Sequence, residues 1–496
     1  MLFNSIEFAI FASSVFVIYW FLFNKNHKSQ NALLLISSWV FYAWWDWRFL
    51  LLLVGVSVIN YLIAIRISST SSNYGRKNWF ILGLVINLAN LIFFKYNNFF
   101  IDGFIDLAAS FGYNLHLSGT KVILPLGISF YTFISLSYLI DVHKKTINAN
   151  NDIVEVLLSI SFFPIILAGP IQRPSSVFSQ FSVKRIFSYD MITCGMRQIL
   201  WGLFVKVVIA DNLAIYADDI FDNYSHYNGI TLFFGLLFYS VQIYADFSGY
   251  SNIAIGSGKL FGLNLIQNFN YPYFSRNIAE FWKRWHISLT QWFRDYVFLP
   301  LSFSISWKLK NERVFYIKAD LFIYIAASIV TWILTGLWHG ANYTFLIWGL
   351  LHGFYLIIFR IQIKPRKRLF NKLGINNNSG ILIFIESIIT FFLISLAWVF
   401  FRSPTVEDGV NYLILMFSGA YFALPEIAYS RLVLLIITIL TLAFFSVEWF
   451  GRNMEFAIAG LKTKTHVVVR WMFYYCVLVI IFFFAGLSQK FIYFQF

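Results

Sequence analysis

Charge is the scarcest thing in this sequence. Asp, Glu, Lys and Arg supply 12% of the 496 residues, against 59% hydrophobic. A soluble chain carries about 25% charged residues, so the composition excludes a soluble globular fold and points to an integral membrane protein. Cysteine is nearly absent, and Cys194 and Cys476 both lie in apolar runs. They exclude a disulfide framework, and no C-x-x-C redox or zinc spacing occurs. The 23 acidic residues are outnumbered by 37 basic ones, for a net charge of +14. In a soluble protein that excess would suggest nucleic acid. Here most Lys and Arg sit in short loops, which the positive-inside rule explains with no nucleic-acid partner. The alternation that marks a transmembrane barrel is missing, and so are H-E-x-x-H and G-x-S-x-G. Gly256-Ser-Gly-Lys259 imitates a phosphate loop, but Ile253 stands where glycine is required and Leu260 replaces Ser or Thr. No metal site is expected.

What the sequence does have is long apolar runs. They fall near 5–23, 32–45, 49–65, 79–94, 122–140, 153–169, 191–210, 230–245, 321–338, 343–359, 381–401, 431–447 and 472–487. A helix of ~20 residues spans a bilayer and satisfies its own backbone there, so an all-α polytopic bundle is predicted. Some runs are short, so about eleven to thirteen membrane segments are expected, a few of them half-helices. Met1 to Phe23 lacks a basic n-region and a small-residue cleavage site, and reads as a retained first helix. No soluble insert, Gly/Ser-rich linker or internal repeat interrupts the pattern. The expectation is one domain over 1–496.

The chain is organised around Thr335 to Thr344, Thr-Gly-Leu-Trp-His-Gly-Ala-Asn-Tyr-Thr. His339 lies at the junction of two apolar runs, and ionisable groups at membrane depth usually face a bundle interior or wet cavity. Gly336 and Gly340, then Gly349 and Gly353, repeat a four-residue spacing that lets helix backbones approach closely. Lys308, Lys310, Arg313 and Lys318 precede this stretch; Arg360, Lys364, Arg366, Lys367, Arg368 and Lys372 follow it. Both flanks are therefore expected to be cytoplasmic. His339 is then at the turn of a hairpin or inside a broken helix.

Residues 246–300 read differently, too polar for a span and too aromatic for a loop. Over Phe281 to Leu299, ~100° per residue puts Trp282, Trp285, Leu289, Trp292 and Tyr296 on one face. Lys283, His286, Thr290 and Arg294 fall on another. The pattern predicts an amphipathic helix, either interfacial or re-entrant along a polar funnel. His352 is ~220° from His339 on a continuous helix, so the two would face apart and His352 would pack between helices. Asp246 reads as an unpaired carboxylate that lines a channel or bonds an Arg or backbone amide. His27, His116, His143, His226 and His466 lie in or beside polar stretches and read as solvated.

Several longer motifs together carry a resemblance. They are Pro125-Leu-Gly-Ile-Ser-Phe-Tyr131, Leu167-Ala-Gly-Pro-Ile-Gln-Arg173 and Gln242-Ile-Tyr-Ala-Asp-Phe-Ser-Gly-Tyr-Ser251. Phe281-Trp-Lys-Arg-Trp-His-Ile-Ser-Leu289, Trp338-His-Gly-Ala-Asn342 and Trp398-Val-Phe-Phe-Arg402 complete the set. With them the chain resembles the membrane-bound O-acyltransferase family, bacterial alginate O-acetylase type, and is more distantly similar to the D-alanyl transferase of teichoic acid. The resemblance implies a ring of helices around a central tunnel, with His339 as the catalytic histidine and His286 as a second, funnel-lining one. It implies an acyl thioester donor from the cytoplasm, expected to be acetyl-CoA as co-substrate with no bound cofactor. The acceptor would be an extracytoplasmic polysaccharide, alginate-like or peptidoglycan, and an extracytoplasmic SGNH/esterase-type protein would complete transfer. The location would be the bacterial inner membrane, among membrane lipid.

Acyl transfer to a hydroxyl needs a base, and histidine titrates near ~6.5. Burial disfavours the charged form of an imidazole and so keeps it a base. The oxyanion needs hydrogen-bond donors; His286, Asn342 and backbone amides near Gly340 are all candidates. Trp338, Asn342 and Asp246 are the expected substrate-binding residues. Two rival readings stand beside this one: a transporter that moves an acyl donor or lipid-linked glycan without chemistry, and an acyltransferase with a long-chain donor.

Overall fold

In a computed structural model the apolar runs are helices. The structure describes residues 1–113, 121–309, 311–314, 316–418, 424–486, 489 and 491–492, with only the backbone of residues 106 and 464. His116 and Lys310 lie outside the described residues. Among the described residues nine helices are long and apolar enough to cross a membrane. They are Trp47–Ser69, Asn73–Ser110, Tyr189–Asp222, Gly229–Leu260, Ala319–His339, Tyr343–Lys372, Gly380–Arg402, Arg431–Gly451 and Val467–Phe484. The chain is thus an all-α polytopic membrane protein. The other four of the thirteen apolar runs are cut short. Ile6–Phe21 and His27–Ala43 begin at the capping side chains of Ser5 and Asn26 and have 16 and 17 residues. Ile128–His143 begins at Gly127, whose φ of +72° a side chain would oppose. The run near 153–169 breaks at Phe162 into Ile153–Ser161 and Phe163–Ile166. Pro164 has no N–H to give a preceding turn, so it fits only the first turn of the second piece.

The chain forms two compact units, residues 1–199 with 253–266, and residues 200–252 with 267–496. In the first, Phe8, Phe41 and Phe163 pack ring against ring at 5.7–6.3 Å. Asn60 and Asn87 exchange amide hydrogen bonds of 3.1 and 2.8 Å inside two of the long helices. Two of the sequence motifs meet in this unit. A side chain on Gly127 would strike the carbonyl of Ile166, beside Leu167, and the Tyr42 hydroxyl donates to the Leu126 carbonyl at 2.9 Å.

The second unit contains a hairpin around His339, one of the two arrangements expected there. Ala319–His339 and Tyr343–Lys372 are separate helices joined by Gly340, Ala341 and Asn342. Gly336 and Gly349 serve as expected. Side chains on Gly336 and Gly349 would collide with the carbonyls of Phe345 and Trp332, and one on Gly340 with the Phe345 ring. Backbone contact this close needs residues without a Cβ.

Residues 281–299 do not form the single amphipathic helix that their periodicity predicts. Ile278–Arg284 ends at Trp285, His286 takes a left-handed φ of +41°, and Ile287–Phe293 starts afresh. A π-helical turn, Arg294–Phe298, follows. Trp282, Trp285, Leu289 and Trp292 are buried and Lys283 and Arg294 exposed, as the pattern required, but His286 is only 1% exposed. Its burial overturns the picture of a helix lying flat on lipid with His286 on the polar side.

Gly349→Leu should lower the thermal midpoint of the detergent-solubilised protein, with a cost at or above the ~1–3 kcal/mol of ordinary overpacking because the obstacle is backbone. Gly55→Ala has open space around it and should be neutral or raise the midpoint slightly, by up to ~1 kcal/mol. Equal midpoints for the two variants would contradict the packing described.

Candidate active site

His339 is the last residue of its helix, and Gly340 leaves the helix in extended backbone. The next helix starts at Asn342, whose Oδ1 accepts from the Thr344 amide at 3.0 Å while its Nδ2 donates to the Pro404 carbonyl at 2.8 Å. Asn342 therefore caps a helix and ties down the turn that ends at His339. The imidazole is 5% exposed. Around it stand Trp338, Trp348 and Phe401 at 4.9, 4.8 and 5.1 Å between ring centroids. Phe401 and Trp398 both come from the Trp398–Arg402 motif. Arg402 itself pairs with Asp218 and Asp222 at 2.9 Å each, away from the imidazole.

His286 reaches the same aromatic cluster from its own break in the chain. Trp338 is the ring the two histidines share, 6.0 Å from His286 and 4.9 Å from His339. Phe247 meets His286 edge-on at 4.6 Å. The left-handed backbone of His286 is uncommon outside glycine, and Asn268 bonds to the chain on its far side. The Asn268 carbonyl accepts from Ile287 N at 2.9 Å. Its Oδ1 accepts from the Ser288 hydroxyl at 2.9 Å and the Ser288 amide at 3.3 Å. An atom that accepts a backbone N–H must be the amide oxygen. The His286 Nδ1 lies 3.0 Å from this same oxygen, so Nδ1 carries the proton and Nε2 keeps its lone pair. His286 lies outside the nine apolar helices. Burial pushes its pKa down from 6.5 to about 3, so the ring is neutral at physiological pH.

The aromatic cluster extends to a third histidine. His352 is buried, 4.8 Å from Trp348 and 4.9 Å from Trp282, whose indole Nε1 donates to its Nδ1 at 3.3 Å. It packs between helices as expected. The hairpin turn interrupts the continuous helix on which it would face away from His339, and the two imidazoles share Trp348 at 4.8 Å each. His143 is also not simply solvated: it is half-buried and stacked on Phe80 at 4.2 Å. His226 and His466 are exposed and His27 is half-exposed.

Asp246 is a paired carboxylate, and a bond to a backbone amide, one of its expected arrangements, is what the structure holds. Its Oδ1 lies 2.5 Å from Lys206 Nζ, and its Oδ2 accepts from the Ile492 amide at 2.8 Å. Lys206 also pairs with Asp211 at 2.6 Å. All three groups are buried. Phe247, the next residue after Asp246, is the one that touches His286, so this ionic cluster fixes the helix that supplies one wall around that ring. Lys206 could have been singled out as a lone cation in an apolar run. Asn268 carries no such signal, for nothing in the sequence ties it to a histidine 18 residues on. Among the described residues no group of three or more His, Cys, Asp or Glu is placed to hold a metal ion.

The family model described as MBOAT, membrane-bound O-acyltransferase family, matches residues 149–401. That span holds both histidines, Asn268 and the hairpin. The chain is 37% identical to the probable alginate O-acetylase of Pseudomonas aeruginosa over 94% of its own length and 84% of that protein's. It is 36% identical to the peptidoglycan O-acetyltransferase of Helicobacter pylori, over 78% and 74% respectively. It is 28% identical to the teichoic acid D-alanyltransferase of Bacillus subtilis, over 49% and 60%.

Two expectations follow. The unfolded chain takes up a proton at His286 below pH ~6.5 and the folded chain does not, so this residue's contribution to stability is lost as pH falls from 6.5 towards about 3. The loss runs at up to ~1.4 kcal/mol per pH unit. His286→Asn should flatten the decline of the thermal midpoint between those values, and an unchanged slope would contradict the burial of the ring. Lys206→Met would leave two buried carboxylates without their cation, at a cost of about 3–5 kcal/mol. Thermal unfolding in detergent should show a large drop for Lys206→Met and a smaller one for Lys206→Arg.

Proposed function

This chain belongs to the membrane-bound O-acyltransferase family, and from that premise we propose that it is an O-acetyltransferase with His339 as its general base. Family membership makes it an enzyme rather than a carrier that works without chemistry. The acetyl donor in this reading is a cytoplasmic thioester, acetyl-CoA. The modified molecule is an extracytoplasmic polysaccharide, alginate-like or peptidoglycan. The observation that carries the reading is that His339 and His286 both pack against Trp338, in a chain that matches an alginate O-acetylase over nearly its whole length.

The chemistry asks for few parts. His339 takes the proton of an acceptor hydroxyl while that oxygen attacks the thioester carbonyl. The C–O bond forms, the tetrahedral oxyanion collapses, and the C–S bond breaks. The proton taken by the imidazole ends on the departing thiolate, so charge balances over the cycle. Aromatic walls exclude water, which would otherwise compete as the nucleophile. His286, neutral and fixed by Asn268, presents Nε2 as a hydrogen-bond acceptor that can orient the hydroxyl. Asn342 and backbone amides near Gly340 remain the candidate donors to the oxyanion. A tunnel between the membrane faces is the route this reading takes for the acetyl group. It places the protein in the bacterial inner membrane, with a separate SGNH/esterase-type protein outside to complete transfer to the sugar.

Purified protein in liposomes, given radiolabelled acetyl-CoA, should transfer or release label. His339→Ala should reduce the rate by about 10²–10⁴-fold, the usual contribution of a positioned acid–base group. Full acetylation by His339→Ala would remove the base from the mechanism. Loss of activity with a polysaccharide acceptor but retention with water would move the role of His339 to acceptor binding.

A further inference from the structure

One cavity in the second unit plays no part in the site above. It has a volume of about 480 Å³ and lies between the helices Tyr343–Lys372 and Gly380–Arg402 and the residues that open Ile278–Arg284. That size falls within the ~300–1,000 Å³ of small-molecule sites. Its walls are of two kinds. Phe354, Ile385 and Ile389 make an apolar side and are exposed on helices of membrane-crossing length, so this side opens laterally to hydrocarbon. At the other end stand Arg276, Arg366 and Glu386. Glu386 Oε2 accepts from Arg276 Nε at 2.8 Å, and its Oε1 pairs with Arg366. Arg276 Nη2 also donates to the Asn377 carbonyl, in the loop between the two helices, at 2.6 Å.

Two guanidiniums share one carboxylate, so this end of the cavity keeps a net charge of +1. Guanidinium presents its donors in a fork that matches phosphate. Lys364, Lys367, Arg368 and Lys372 crowd the same end of the helix. The positive-inside rule assigns that end to the cytoplasmic leaflet, the one rich in anionic lipid. We propose that this cavity is a binding site for an anionic phospholipid, its headgroup phosphate at Arg276 and Arg366 and an acyl chain along Phe354, Ile385 and Ile389. A zwitterionic lipid brings its own cation to the phosphate and does not answer the local excess of positive charge. A free phosphate answers the charge but leaves the apolar side empty. The proposal does not depend on the acetyl-transfer reading.

The test is native mass spectrometry of the full chain, purified in mild detergent and titrated with phosphatidylglycerol or phosphatidylcholine. Phosphatidylglycerol should be retained about fivefold more, the factor that one uncompensated cation supplies near an anionic headgroup. The Arg276→Gln/Arg366→Gln double variant should bring the two lipids to parity. Ile389→Trp, which leaves the ion pairs intact, should reduce retention of phosphatidylglycerol by filling the groove. Equal retention of both lipids by the unaltered chain would overturn the proposal, as would a preference that survives the double variant. If the double variant aggregates, Ile389→Trp decides, and undiminished phosphatidylglycerol in that variant rejects the site. Displacement of phosphatidylglycerol by glycerol 3-phosphate at equal concentration would assign the arginines to a soluble phosphate and reject the lipid.

Discussion

A polar group placed among hydrocarbon must bring its partner with it, and this constraint governs the protein from backbone to site. Water is not there to compensate, and an unmet donor or acceptor in such surroundings costs several kcal/mol. The first consequence is helix, which pairs the backbone with itself. The second is that several buried polar side chains pair with one another. Lys206 stands between Asp211 and Asp246, Tyr244 donates to Glu448 at 2.8 Å, and Asn60 faces Asn87. Asn268 is the most heavily used of these partners. It meets His286, Ser288 and the amide of Ile287 together, and without it the left-handed turn at His286 would lose these hydrogen bonds.

The aromatic content, 21% of the chain, follows from the same scarcity of polar groups. Imidazole rings that must be dry yet stay in place need large, stiff neighbours. Trp338, Trp348 and Phe401 supply them for His339, and Trp282 and Trp348 for His352. An indole buries a great deal of surface with only two side-chain torsions, so the cluster orders itself at small entropic cost. Glycine works from the other direction. Where Gly336 and Gly349 let the two helices touch backbone to backbone, the short turn between them holds His339 in one position, because neither helix can slide.

Much of this was legible in the residues alone. Two apolar runs with basic outer flanks point to a hairpin or a broken helix, and the glycines at four-residue spacing point to close backbone approach. His339 falls at the junction in either case, and the structure makes it a hairpin. The break in the chain at His286 is not legible, for a definite reason. Helical periodicity from Phe281 to Leu299 survives in the sequence although the helix does not, since each short piece keeps its own buried face. Periodicity reports which side of a piece is apolar; it is silent about a single left-handed residue between two pieces, because that residue bonds to Asn268 across the fold rather than to its neighbours. The cation beside Asp246 and the ring that His352 shares with His339 are out of reach for a related reason. The partner of Asp246 lies 40 residues earlier in the chain, and the angle between His339 and His352 has meaning only along an unbroken helix. Local patterns specify local structure, and contacts made across the fold lie beyond their reach.

The two histidines next to Trp338 differ in a way that bears on the proposed chemistry. His286 has one nitrogen committed as a donor to Asn268, and its low pKa makes its charged form costly. A base this weak accepts a hydrogen bond readily but does not keep a proton, which suits orienting an alcohol rather than deprotonating it. His339 is held by rings and a helix end, with only a turn of chain between it and the next helix. In the proposed mechanism it is the imidazole that takes the acceptor's proton and passes it on. Division of labour between two imidazoles thus needs no difference in residue type. It needs one ring fixed in a single tautomer by an amide oxygen, the other set at the end of a helix, and a tryptophan that packs against both.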